Sequence, residues 1–247
     1  MNLPSHLRRL ALTLGWIVAC VVGASAAAQP AEIPSVRPFK ATFEVVFKGI
    51  SAGTSTLELS RGNGGPWRYE SRNHARGIFR LAFPDDIRQT SALEWTSSGP
   101  RPLRYRADDG GEATDKDIAL DFDWLNGRVR GTAERRNVDL PLPAGTHDAM
   151  TVQLALMQAL ARGEAPSRFT LIDKAELKTY VYRDEGRARL VTPQGEVDAV
   201  IWSSAREGSN RVTRVWYVPS WGFLPAQAER RKGDRLEWSM RLRQLER

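Results

Sequence analysis

Residues 146–163 read Thr-His-Asp-Ala-Met-Thr-Val-Gln-Leu-Ala-Leu-Met-Gln-Ala-Leu-Ala-Arg-Gly, the one segment of the chain with convincing helical periodicity. At about 100° per residue, Thr151, Gln158 and Arg162 fall on a narrow polar stripe. Met150, Val152, Leu154, Leu156, Met157, Leu160 and the alanines cover nearly all the remaining circumference, and Gln153 alone interrupts the apolar side. A helix apolar over most of its surface must be covered from several directions, so a sheet that curves around it is expected rather than a flat one. Thr146 can cap its amino end, Asp148 suits the positive end of the helix dipole, and Gly163 can stop the helix.

Working outward, both flanks alternate with period two. On the amino-terminal side, Phe39, Ala41, Phe43, Val45 and Phe47 share one face of a predicted strand; Gly49 to Gly53 turns the chain into a second, Thr54 to Ser60. A glycine-rich turn at 61–66 leads to Trp67–Asn73, and Arg88–Thr96, Leu103–Ala107 and Asp117–Trp124 continue the pattern. Ile78–Phe83 is readable either as a helical turn or as a strand end. After Pro166, strands are predicted at Arg168–Ile172, Leu177–Arg183, Ala188–Thr192, Glu196–Ser203, Arg211–Val218 and Leu236–Leu242, with Asp184-Glu185-Gly186 and Pro193-Gln194-Gly195 as hairpin turns. Roughly a dozen strands around one helix predict a mainly β fold, a strongly curved or closed antiparallel sheet (half-barrel or barrel) with one long central helix. No repeat or long linker divides it, so residues 39–247 read as a single β-rich domain.

The amino terminus carries a different signal. Arg8 and Arg9 precede an apolar run from Leu10 to Val22 and small residues through Ala28, the pattern of an export signal over residues 1–28, with 29–38 an extended lead-in. The expected location is the periplasm, with no transmembrane segment in the mature chain. Cys20, the only cysteine, lies in Ile17-Val18-Ala19-Cys20; lipidation there is the minority reading, because the apolar run continues toward a better ordinary cleavage site. Ordinary cleavage leaves no thiol, which excludes disulfides and cysteine chemistry. Thirty-six basic and 29 acidic residues give a net charge of +7, which falls to +5 once Arg8 and Arg9 leave. Export and the absence of an RNA-binding pattern argue against nucleic acid as a partner.

Catalytic motifs fail on context. Gly49-Ile50-Ser51-Ala52-Gly53 matches Gly-x-Ser-x-Gly, but a nucleophile elbow needs a strand feeding a helix, whereas this segment joins two strands. His74 and His147 lie in no metal spacing, and adjacent His147 and Asp148 are better explained at a helix end than as an acid–base pair. Asp108, Asp109, Glu112, Asp115 and Asp117 crowd one loop, but their spacing does not match the helix-flanked calcium loop, and a solvated hairpin is the simpler reading. No cofactor is expected.

Seven tryptophans after the leader lie on or beside predicted strands, and 216–225 packs Trp, Tyr, Trp, Phe and two prolines into ten residues. Most belong in a core. Large aromatics facing a helix with adaptable methionines can also border a binding cavity, and the ligand-binding residues expected on that basis are Met150, Leu154, Met157, Trp124, Trp216, Trp221 and Phe223.

The chain resembles an exported bacterial family, domain-of-unknown-function family three-one-zero-eight. The resemblance rests on Phe43-Glu44-Val45-Val46-Phe47-Lys48-Gly49-Ile50 followed by Gly53, on the helix led by Asp148, and on Trp216 with Gly222-Phe223-Leu224-Pro225. It implies a periplasmic β-rich protein and brings no catalytic residues with it. The architecture is also similar to the half-barrel lipoprotein carriers of the periplasm. The resulting expectation is a non-enzymatic protein that binds a hydrophobic or amphiphilic envelope component, a lipid or acyl chain. The alternative is a structural or interaction protein of envelope assembly whose partner is another envelope protein, and a periplasmic hydrolase ranks last.

Overall fold

The computed structural model describes residues 36–247 apart from Asn63, Ala82 and Glu112. The export signal and Cys20 lie outside the described residues. In chain order the first half is β1 Phe39–Phe47, β2 Ile50–Arg61, β3 Trp67–Ala75, β4 Ile87–Thr96, β5 Gly99–Asp108, β6 Ile118–Asp123, β7 Arg128–Ala133 and β8 Arg136–Pro141. The second half is β9 Thr146–His147, α1 Thr151–Ala161, β10 Arg168–Asp173, β11 Glu176–Thr192, β12 Gly195–Arg206, β13 Arg211–Val218, β14 Leu224–Lys232 and β15 Arg235–Glu246.

Among the described residues 15 strands form one sheet in the order β8-β7-β6-β5-β4-β3-β2-β1-β15-β14-β13-β12-β11-β10-β9. Each half is a meander, and the halves meet where β1 pairs antiparallel with β15. The β9–β10 pair is parallel, because α1 forms the crossover between these strands. The sheet is open, with β8 and β9 as its edges, so of the two expected forms the closed barrel is excluded. It is strongly bent all the same. Gln89 of β4 and Leu171 of β10 line one cavity although they stand nine strand steps apart in the sheet, which would be about 43 Å on a flat surface at roughly 4.8 Å per strand.

Bulges supply part of that bend. Register shifts occur between β1 and β2, β1 and β15, β13 and β14, and β14 and β15, and each increases local twist and bends the strand. At the β1–β2 shift Gly53 has φ +146° and a Cβ there would stand 2.0 Å from the His74 carbonyl oxygen, so only glycine fits. The turn between these strands is tighter than expected: Lys48 and Gly49 both have positive φ, and β2 restarts at Ile50. Ser51 is therefore an exposed strand residue.

Three expectations need correction. The segment Asp184-Glu185-Gly186 is no hairpin but a bulge inside the 17-residue β11. Asp184 accepts the Gly186 N–H at 2.8 Å, which satisfies the displaced backbone while pairing to β12 resumes on either side. The helix begins at Thr151 rather than near Thr146, because Thr146 and His147 are taken up by pairing with Thr170 and Leu171. Asp148, not Thr146, does the capping: its Oδ1 accepts the N–H groups of Met150 and Thr151, both at 2.7 Å, and Thr151 Oγ1 accepts the Asp148 N–H at 3.0 Å. The ambiguous segment 78–83 contains a single 3-10 turn, Gly77–Leu81.

Among the described residues no helix is long and apolar enough to cross a membrane.

Candidate functional site

The side chains that point into the curve follow from strand alternation and register. Across β11 to β15 and into β1, Tyr182, Ser204, Thr213, Arg230, Trp238 and Phe47 are successive cross-strand partners, forming a row near the strand ends. One step further in, Val215, Ala228, Met240 and Val45 form a second, apolar row. Deeper still come Tyr217 and Pro225 on one wall and Phe43, Ser55 and Asn73 on the other. From the opposite side α1 contributes Met150, Val152, Gln153, Leu156 and Met157.

These surfaces do not meet. They enclose a cavity of about 680 Å³, within the range of roughly 300–1,000 Å³ usual for small-molecule sites. Phe43, Tyr217, Leu156 and Met157 are all buried and belong to its inner lining. At the strand-end rim, Phe79 of the 3-10 turn packs edge-on against Phe47 with centroids 5.8 Å apart, and Phe83 adds a further ring. Ile78 and Leu81 of the same turn are 70% and 87% exposed, so the rim is apolar on the side of this turn. Gln153, the interruption on the apolar side of the helix, accepts a hydrogen bond from Tyr69 Oη at 3.2 Å. Its Nε2 donates to the Ala149 carbonyl at 3.3 Å, so both ends of the amide are engaged.

The expected ligand residues divide. Met150 and Met157 line the cavity. Leu154 is fully buried in the core but is not part of the cavity wall. Trp124 is half-buried, stacks on Phe122 and donates its indole N–H to the Pro102 carbonyl at 2.6 Å. Trp216 lies between Val215 and Tyr217, which both face inward, so alternation turns it to the other face of the sheet, where it packs with Trp221 against Ala199, Val218 and Ala226. Phe223, in a positive-φ turn, packs at the margin of the main core. The wall residues that the sequence reading passed over are chiefly Phe43, Tyr182, Tyr217, Arg230 and Trp238. Phe43 could have been found from its place in the alternating run of β1; the others require the register.

The remaining polar clusters have structural explanations. Asp148 is fully buried; besides its backbone bonds it accepts the Ser91 hydroxyl at 2.6 Å. Burial raises its pKa, against the opposing pull of those hydrogen bonds. His147 is buried with its ring edge-on to Phe169 at 5.6 Å, and burial pushes its pKa down to about 4. His74 pairs through Nδ1 with Asp86 at 2.9 Å on the exposed side. In the acidic loop, Asp108, Asp109 and Asp117 bring carboxylate oxygens within 4.8 Å of one another. Asp108 there accepts the Gly110 N–H, and Asp109 pairs with Lys116 at 3.4 Å.

A family described as "Protein of unknown function (DUF3108)" matches residues 42–233, which include most of the sheet and all of α1. The chain belongs to the DUF3108 family. The matched span ends just after β14, so it includes Arg230 and excludes Trp238. No curated protein matches this DUF3108 chain. Among solved structures, the beta-barrel-like protein of domain of unknown function DUF1849 from Brucella abortus aligns with a TM-score of 0.54 at 12% identity, covering 85% of this chain and 97% of that one. This likeness is one of fold. MucB aligns with a TM-score of 0.35 at 11% identity, covering 87% of this chain and 55% of that one. An exported protein with a YmcC-like fold from Bacteroides fragilis aligns with a TM-score of 0.34 at 8% identity, covering 87% and 98% of the two chains.

Proposed function

We propose that this protein is a non-enzymatic periplasmic binding protein, exported by its amino-terminal signal, that holds a hydrophobic or amphiphilic envelope component between the curved sheet and α1. The carrying observation is the apolar cavity of about 680 Å³, walled by Phe43, Val45, Met157, Val215 and Met240 and reached past Phe47, Phe79 and Phe83. The cavity opens to solvent, so its apolar wall is in contact with water, and an acyl chain that covers this wall would be favoured by the hydrophobic effect. The methionines suit the role, since unbranched thioether side chains adapt to ligands of differing shape.

A hydrolase reading has little support. Ser51 lies exposed on β2, and among the described residues neither histidine ring is hydrogen-bonded to a hydroxyl.

The test is direct. Protein purified gently from the periplasm and examined by native mass spectrometry is expected to carry lipid, and delipidated protein is expected to take up a fluorescent fatty acid saturably. Absence of both copurified lipid and probe uptake would overturn the reading.

A further inference from the structure

We propose that the ligand is an anionic amphiphile and that Arg230 holds its carboxylate or phosphate headgroup at the rim, leaving the apolar chain to run inward over Val215, Ala228 and Met240. This rests on the reading of the cavity as an amphiphile site and adds the ligand's charge and orientation.

Arg230 lies in the middle of the outermost inward-facing row, between its cross-strand partners Thr213 and Trp238. Its Nε donates to Thr213 Oγ1 at 3.0 Å, and its guanidinium carbon stands 5.4 Å from the Trp238 ring centroid. These contacts hold the plane of the guanidinium in place. Among the described residues its two Nη groups have no hydrogen-bond acceptor, and no carboxylate lies within ion-pair distance. The acids whose charge it feels are engaged elsewhere. Glu237 pairs with Arg211 at 3.2 Å, while Asp173 pairs with Lys178 at 3.4 Å and accepts the Tyr180 hydroxyl at 3.1 Å.

Among the described residues Arg68, Arg104, Arg128 and Arg214 each pair with an acid, whereas Arg230 lines the cavity without an acidic partner. Desolvation by the surrounding protein pulls its pKa down from the ordinary arginine value. Arg230 is exposed at the mouth of the cavity, so water solvates its open fork until a ligand arrives, and a planar two-oxygen anion is the group that complements that fork. The neighbouring hydroxyls of Thr213 and Ser204 supply further polar contacts at the rim, while the next row inward is wholly apolar. The wall thus changes from polar to apolar along the direction an amphiphile would lie.

The experiment compares palmitate, its uncharged methyl ester and 1-palmitoyl lysophosphatidate on the delipidated full chain, each by displacement of a fluorescent fatty acid. Wild type is expected to bind palmitate about tenfold or more tightly than the ester, as for a charge-assisted hydrogen bond. Arg230→Gln is expected to bind palmitate as weakly as the ester and to leave ester binding unchanged, while Arg230→Lys keeps part of the preference. Tighter binding of lysophosphatidate than palmitate, lost in Arg230→Gln, identifies phosphate as the favoured headgroup; the reverse order identifies carboxylate. Equal binding of acid and ester by wild type overturns the role of Arg230 and leaves the cavity reading standing. Failure of all three to bind overturns both. Unchanged far-ultraviolet circular dichroism of the variants confirms that the fold is intact.

Discussion

The two sides of α1 meet different surroundings. Toward β5 the helix lies on solid structure: Gln158 is buried, with its Oε1 2.9 Å from where a Cβ on Gly99 would be, and Arg162 donates to the Ser97 carbonyl at 3.4 Å. The polar stripe of Thr151 and Gln158 is therefore buried rather than solvated. On the other side Met150, Leu156 and Met157 border the void. Leu154 and Met157 are both 0% exposed, yet only Met157 lines the cavity. Exclusion from solvent and close packing are thus separate properties in this molecule.

The largest expected effect tests that separation. Leu154→Ala opens a new hole in packed core and is expected to cost about 3 kcal/mol or more in urea unfolding. Met157→Ala widens an existing void, loses fewer contacts and is expected to cost about 1 kcal/mol less. Equal losses would erase the distinction between the two sides.

Acid should act through the packed end. His147 has a folded pKa of about 4 against an unfolded value near 6.5. Below pH 6.5 the unfolded chain takes up a proton that the folded chain refuses, so stability falls as pH drops from about 6.5 to 4 and the contribution is intact above that window. The shift corresponds to about 3 kcal/mol. His147→Phe is expected to show a shallower loss across this range when urea midpoints are compared at pH 7 and pH 4.5. An identical pH dependence in both proteins would show that the imidazole stays solvated.

On the hollow side, Ala228→Phe projects a ring from the second wall row into the void and is expected to abolish fatty-acid uptake while changing stability by only about 1 kcal/mol, because it fills space rather than overpacking it. Ala133, fully buried among the strands of the other half, gives the contrast: Ala133→Phe should cost about 2–3 kcal/mol with no room to accommodate the ring. The smallest effect is expected at Ser51. Ser51→Ala on the exposed edge of the β1–β2 hairpin should leave both stability and ligand uptake within about 0.5 kcal/mol of wild type.

Much of this architecture was legible from local pattern. The run of Phe39, Ala41 and Phe43 alternates as a one-side-buried strand must, and all three are buried. Aspartate ahead of an apolar run marked the helix start to within a few residues, but Thr146 and His147 were drawn into a parallel pairing that no local signal announces. The aromatic cluster at 216–225 misled for a related reason. Aromatic density shows that a segment is buried but not on which face, and the alternation fixed by Val215 and Tyr217 sends Trp216 away from the cavity.

From sequence alone came the mainly β class, the single central helix and the need to surround it, because hydrophobic period depends only on neighbours a few residues apart. Whether the sheet closed, which helix face met a void, and that Arg230 would face that void between Thr213 and Trp238 were decided by tertiary structure. Each depends on register between strands distant in the chain, and a shift of one residue would have turned every one of those side chains to the opposite face.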